Sequence, residues 1–170
     1  MFLVRRLRSD EWQGYRDIRL RALRDSPTAF GSTFEVESVK PDEYWEARLA
    51  SASDSPHQLP LVAERGSQMV GLVWGWIDPN RSDAAHLIQM WVAPEARGQG
   101  CGARLIESIV DWAREAAVRS VHLRVTCGDR AAQRLYRRLG FRPAGEQEPL
   151  RPGSVELAQP MQLEFESHAP

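Results

Sequence analysis

A mixed α/β fold is predicted by three features of the chain. Segments that alternate apolar and polar residues are interleaved with segments of helical periodicity. A meander of three strands, Leu61–Glu64, Met69–Ile77 and His86–Val92, occupies the middle. Its turns are marked by Arg65-Gly66-Ser67-Gln68 and by the cluster Asp78–Asp83. The third strand then passes through a glycine-rich turn into a long helix and on to a strand at Ser120–Val125. A strand–helix–strand unit of this kind makes its two strands parallel neighbours.

Phe2–Leu7 is the opening strand, with Phe2 and Val4 alternating with Leu3 and Arg5. Ser9 or Asp10 supplies an N-cap and Glu11 an acidic first turn. Trp12, Tyr15, Ile18 and Ala22 recur at helical spacing until Ser26-Pro27 ends the helix. Ala29–Lys40 reads as irregular. Pro41 opens a second helix carrying Tyr44, Trp45, Ala47 and Leu49, and Ser51–Gln58 is a polar loop. In the long helix Leu105, Ile106, Ile109, Val110, Ala113 and Ala117 form one apolar face. Asp129–Leu139 is a short helix closed by Gly140. Arg142–Gly153 is a loop, and Val155–Phe165 is strand-like. Pro160 inside that strand predicts an edge or a bulge. No repeat or boundary divides residues 1–170, which read as one domain.

The formal net charge is −1, which argues against nucleic acid or an anionic membrane as a partner of the whole protein. The arginine run Arg5, Arg6, Arg8, Arg16, Arg19, Arg21 and Arg24 reads as a solvated helix face. Two cysteines, Cys101 and Cys127, lack metal-ligand spacing and make no disulfide framework, so a reducing cytosol fits and no metal centre is expected. Charge follows Met1–Val4 at once, unlike a signal peptide, and no apolar run approaches the ~20 residues that span a bilayer.

The sharpest local feature is Arg97-Gly98-Gln99-Gly100-Cys101-Gly102-Ala103, between a strand and a helix. Glycines let a backbone approach a ligand closely, and the free amides and positive dipole end of a helix favour phosphate. Arg97 adds a charge. A P-loop needs Gly-Lys-Ser/Thr, and Ala103-Arg104-Leu105 stands there instead. The dinucleotide pattern fails on glycine spacing, and Val125-Thr126-Cys127 offers no acidic residue after the next strand. On these residues alone, a phosphate site and a tight ligand-free turn both remain open.

Arg97-x-x-Gly100-x-Gly102 resembles the pyrophosphate-binding signature Q/R-x-x-G-x-G/A of the GNAT superfamily of N-acetyltransferases. Met90-Trp91-Val92-x-Pro94 is similar to the strand that precedes it there. Asp129 to Phe141 resembles the second signature, N-x-x-A-x-x-L-Y-x-x-x-G-F. Ser26-Pro27-x-Ala29-Phe30-Gly31 is similar to the opening stretch of many bacterial members. The strong resemblance spans residues 60 to 143.

The resemblance implies a mostly antiparallel central sheet with one splayed parallel strand pair and helices on both faces. It implies acetyl-CoA as cosubstrate and direct acetyl transfer to a primary amine of a small molecule or peptide. A homodimer is common in the family. Main-chain groups of Met90, Trp91 and Val92 would hold the pantetheine arm. Amides from Gly98 through Gln99, Gly100, Cys101 and Gly102 to Ala103 would hold the pyrophosphate, with Arg97 beside them. Tyr136 matches the tyrosine that protonates the leaving thiolate, a role open to a phenol. Asp129 replaces the family's usual asparagine and serves either as helix cap or as a cofactor contact. His86 stands where some members keep a general base. Glu35 and Glu37 are its rivals, with Glu35 and Phe30 expected near the acceptor. A non-catalytic acyl-CoA sensor would keep the glycine loop without needing Tyr136 or a base.

Overall fold

The computed structural model describes residues 1–166, apart from the side chain of Ser82. One sheet carries eight strands. Its order is β1 (Leu3–Arg6), β2 (Gln58–Arg65), β3 (Gln68–Asp78), β4 (Arg81–Val92), β5 (Ser120–Thr126), β8 (Leu157–Glu164) and β6 (Arg142–Pro143), and β7 (Glu148–Pro149) also pairs with β8. Among the described residues only β4 and β5 run parallel, and the other pairings are antiparallel. The helices are α1 (Trp12–Asp25), α2 (Phe34–Ser38), α3 (Asp42–Ser53), α4 (Cys101–Glu115) and α5 (Arg130–Arg138). No described helix is long and apolar enough to cross a membrane.

Side chains alternate across β3, so its two faces meet different helices. The Trp74 ring lies 5.2 Å from that of Tyr15 on α1, which lies 5.6 Å from Trp45 on α3. On the other face stand Gly71 and Gly75. A Cβ there would come within 2.8 Å of Leu105 and 2.7 Å of Trp112, so bare glycine is what lets α4 lie this close to the strand. The α4 stripe buries Cys101, Leu105, Ile106, Ile109, Val110 and Ala113. Burying a leucine- or isoleucine-sized chain there contributes roughly 1.5–3 kcal/mol.

The structure corrects several local expectations. Ala29–Lys40 contains α2, because the Thr33 hydroxyl accepts from the Val36 amide and caps it. The turn before β4 shrinks to Pro79-Asn80, and α3 runs on to Ser53. Ala117 is exposed with φ 59, past the end of α4, where the chain reverses into β5. Pro160 lies inside a strand paired on both sides, not on an edge. Its carbonyl accepts from the Ala144 amide, so its polar groups face the gap between β6 and β7 and the ladder to β5 loses no donor. The arginine run is also not wholly solvated. Arg19 is buried in a bidentate pair with Glu37 (3.0 and 2.8 Å), and Arg6 donates to the carbonyls of Ala52, Ser55 and Gln58.

Two irregularities shape the functional region. The β4–β5 register covers only Ala84–His86 against Ser120–His122, and beyond it the strands part. In β4, Trp91 faces Leu72 while Ile88 faces Trp74, so Gln89 and Met90 together oppose Val73. This β-bulge holds Gln89 at φ 55 and bends β4 away from its parallel neighbour. The Tyr15 hydroxyl donates to Gln89 Oε1 at 3.0 Å and pins the bulge to α1.

Candidate active site

The parted strands leave a wedge between Leu87–Val92 and Leu123–Thr126. Main-chain groups on that side of β4 meet open space instead of a strand. Three cavities share walls along the wedge: about 580 Å³ at the glycine loop, about 80 Å³ in the middle and about 510 Å³ at the far end.

At the first cavity, Gly98 and Gly100 have φ of 71 and 84, a region that side chains resist, and nothing would crowd a Cβ there. Conformation, not space, therefore calls for glycine. Gly100 is the N-cap of α4, and the first amides of that helix have no partner inside it. Gly98, Gly100, Gly102 and Ala103 line the cavity with Met90, Trp91 and Val92. The loop is braced from α1: Asp25 Oδ2 accepts from Trp91 Nε1 at 2.9 Å and from Arg97 Nη2 at 2.5 Å, while Arg97 Nε donates to the Val92 carbonyl. Burial works against the Asp25 carboxylate, but its hydrogen bonds from Trp91, Ser26 and Arg97 hold it below its ordinary range. The charge of Arg97 is thus spent largely on Asp25. Arg134 and Arg138, one turn apart on α5, also line the cavity. Sequence reasoning passed over them, although their i,i+4 spacing on the second signature was the available signal.

Tyr136 lies in the wall shared by the first and middle cavities. Burial pushes its phenol well above the ordinary value and the Asp129 carboxylate adds to this, so the hydroxyl stays protonated. Asp129 accepts from the Ala132 amide at 2.9 Å as the N-cap of α5 and lines the same two cavities, so it caps without leaving the cleft.

His86 lines the far cavity. Its ring stands 5.7 Å from His122 and 5.3 Å from Trp76. Burial, and then the neighbouring His122, lower its pKa, with Asp78 opposing weakly. His122 in turn shares a 2.8 Å hydrogen bond with Ser120 Oγ. Phe30 lines the middle cavity beneath the Arg19 guanidinium, 4.8 Å away. Its segment forms a roof tied down by Thr126 Oγ1 donating to the Thr28 carbonyl and by Arg151 donating to the Phe30 carbonyl.

Four expected residues, Glu35, Glu37, Gln99 and Cys101, stand apart from these walls. Glu35 is exposed on α2 and lines none of the three cavities, because α2 turns Glu37 inward in its place. Glu37 is committed to Arg19: burial opposes its charge, but the Arg19 hydrogen bonds keep its carboxyl below the ordinary value. Cys101 turns into the core and burial pushes its thiol up, away from nucleophile chemistry. The Gln99 side chain donates to the Glu95 carbonyl, which leaves only its main chain for the loop. Among the described residues no group of His, Cys, Asp and Glu could hold a metal ion.

The first cavity therefore fits a long ligand with phosphates: amides at one end, free strand edge along its length, and arginines beside the phosphates. A profile of the Acetyltransferase (GNAT) family matches residues 12–141. A Bacillus subtilis protein, provisionally named a ribosomal protein bS18 alanine N-acetyltransferase, is 32% identical over 114 residues, 66% of this chain and 74% of that one. The phosphinothricin N-acetyltransferase of Streptomyces coelicolor is 28% identical over 117 residues, 66% of this chain and 68% of that one. Among solved structures, yncA of Salmonella typhimurium, determined with its cofactor acetyl-CoA, superposes with a TM-score of 0.81 at 18% identity, covering 100% of this chain and 97% of that one. The chain belongs to the acetyltransferase (GNAT) family and is, as a member, an acetyl-CoA-dependent N-acetyltransferase.

Proposed function

We propose that residues 1–170 act as a single domain that moves an acetyl group from acetyl-CoA directly to a primary amine of a small molecule or peptide. The observation that supports this best is the place of Tyr136, in the wall between the glycine-loop cavity and the cavity leading to the far end of the wedge.

Acetyl-CoA supplies the activated acyl group as a thioester. The amides from Gly98 to Ala103 hold its pyrophosphate, with Arg134 and Arg138 adding charge, and the free edge of Met90, Trp91 and Val92 holds its extended arm. A main-chain amide near Trp91, kept out of water, polarises the acyl carbonyl. Tyr136 gives its hydroxyl proton to the departing sulfur. His86, neutral at pH 7 because its pKa lies below the usual 6.5, takes a proton from the incoming ammonium directly or through water. No base role is assigned to Glu35 or Glu37, given where they lie. The names of the relatives span a ribosomal-protein alanine and phosphinothricin, so both peptide and small-molecule amines belong in the test. Two free cysteines support a reducing compartment such as the cytosol.

The test is release of free CoA thiol from acetyl-CoA across a panel of primary amines and short peptides. Turnover with at least one amine is expected. CoA binding with no turnover on any acceptor would point to an acyl-CoA sensor instead.

A further inference from the structure

The far cavity has a charge arrangement that the family signatures do not account for. Of the residues lining the middle and far cavities, Arg124 alone is a permanent cation, and it lines both. It projects from β5, two residues beyond the last residue paired with β4. Its Nε lies 2.6 Å from Glu148 Oε1, and its Nη2 donates to the carbonyls of Pro149 (2.8 Å) and Leu150 (3.4 Å). These contacts fix the plane of the guanidinium from one side. Among the described residues Nη1 donates no hydrogen bond, and the side chain is 43% exposed. A planar, always-charged fork that is oriented in advance with donors to spare suits a carboxylate. Glu148, half-exposed beside it, offers the opposite charge in the same cavity. Glu148 thus holds the fork in place, and an acceptor carboxylate is left to the donors that Glu148 does not occupy. The cavity, about 510 Å³, is of small-molecule size.

We propose that the acceptor is a small amino acid, its carboxylate read by Arg124 and its amine directed toward the wall that holds Tyr136. This rests on the acetyl-transfer reading and narrows it. Arg124 is here a specificity-determining residue for the acceptor, and it takes no part in proton transfer.

The experiment compares matched acceptors that differ only by the carboxylate: L-histidine against histamine, L-phenylalanine against phenethylamine, L-lysine against cadaverine and L-ornithine against putrescine, with short peptides as a third arm. In the wild type, kcat/KM for the best amino acid should exceed that of its decarboxylated partner by about tenfold or more, as loss of a charge-assisted hydrogen bond implies. Arg124→Met should shrink that ratio to within about threefold by lowering the amino-acid value, and Arg124→Lys should keep part of it. Equal rates within each wild-type pair, a peptide preferred to every amino acid, or an Arg124→Met variant that lowers both members by one factor would each overturn the proposal. The last of these would mark Arg124 as a tie between β5 and the β7 segment. CoA release with the decarboxylated amines alone would overturn the proposal and leave acetyl transfer standing. Absence of release with every acceptor would sink both.

Discussion

At its glycine end the cleft presents main chain: amides at the start of α4 and the free edge of β4, with Arg97 turned to Asp25. At its far end it presents side chains gathered from separate segments, His86 on β4, His122 and Arg124 on β5, and Glu148 on β7. A main-chain site depends on backbone conformation, which a short run of residues can dictate. A side-chain site depends on which strands become neighbours, and that is decided by the whole sheet. The first end suits a cosubstrate shared by many enzymes, and the second is where one enzyme can differ from the next.

Substitutions can break this contrast. The largest effect is expected at the junction. Tyr136→Phe should lower kcat by about 100-fold or more while calorimetry shows CoA affinity kept, because the hydroxyl donates a proton and binds little. Unchanged turnover would remove the acid role. Next is His86→Gln. Because burial lowers the His86 pKa below 6.5, the neutral base is present at pH 7 and is lost as pH falls through that pKa, so wild-type kcat/KM should drop on the acid side. The variant should be slower by about tenfold at pH 7, with a flattened acid limb. An identical pH profile would move the base elsewhere. At the glycine end, Gly100→Ala places a side chain at φ 84, at a cost of about 1–2 kcal/mol. The KM for acetyl-CoA should rise by up to about tenfold, with the ranking of acceptors unaltered; a changed ranking would show the two ends to be coupled. The smallest effect is expected at the bulge. Tyr15→Phe deletes the donor to Gln89 and should cost about 1 kcal/mol, seen as a Tm lower by about 2–4 °C.

How much of this was legible in the sequence follows the same contrast. The glycine turn, the α4 stripe, the Asp129 cap and the Tyr136 helix are all written within runs of fifteen residues or so, and the periodicity of the chain carries them. The bulge at Gln89 was not legible, since nothing in Leu87-Ile88-Gln89-Met90 marks a residue at positive φ; the conformation comes from registering β4 against β3 and from the tie to Tyr15. The pairing of Arg19 with Glu37 was hidden too, because an arginine run on a helix looks solvated until α2 folds over it. Glu35 was placed near the acceptor for want of α2, whose single turn decides which glutamate faces inward. Arg124 was silent because its partner Glu148 lies on a two-residue strand that no pattern announces.

The central claim is that both substrates occupy one wedge together and that the acetyl group crosses directly, with no residue carrying it. Initial velocities measured over a grid of acetyl-CoA and acceptor concentrations test this most directly. Intersecting double-reciprocal lines, with no acetylated enzyme detected by mass after incubation with acetyl-CoA alone, are the predicted result. Parallel lines together with an acetylated enzyme would contradict it and show a covalent carrier that the buried Cys101 and the placement of Tyr136 do not provide for.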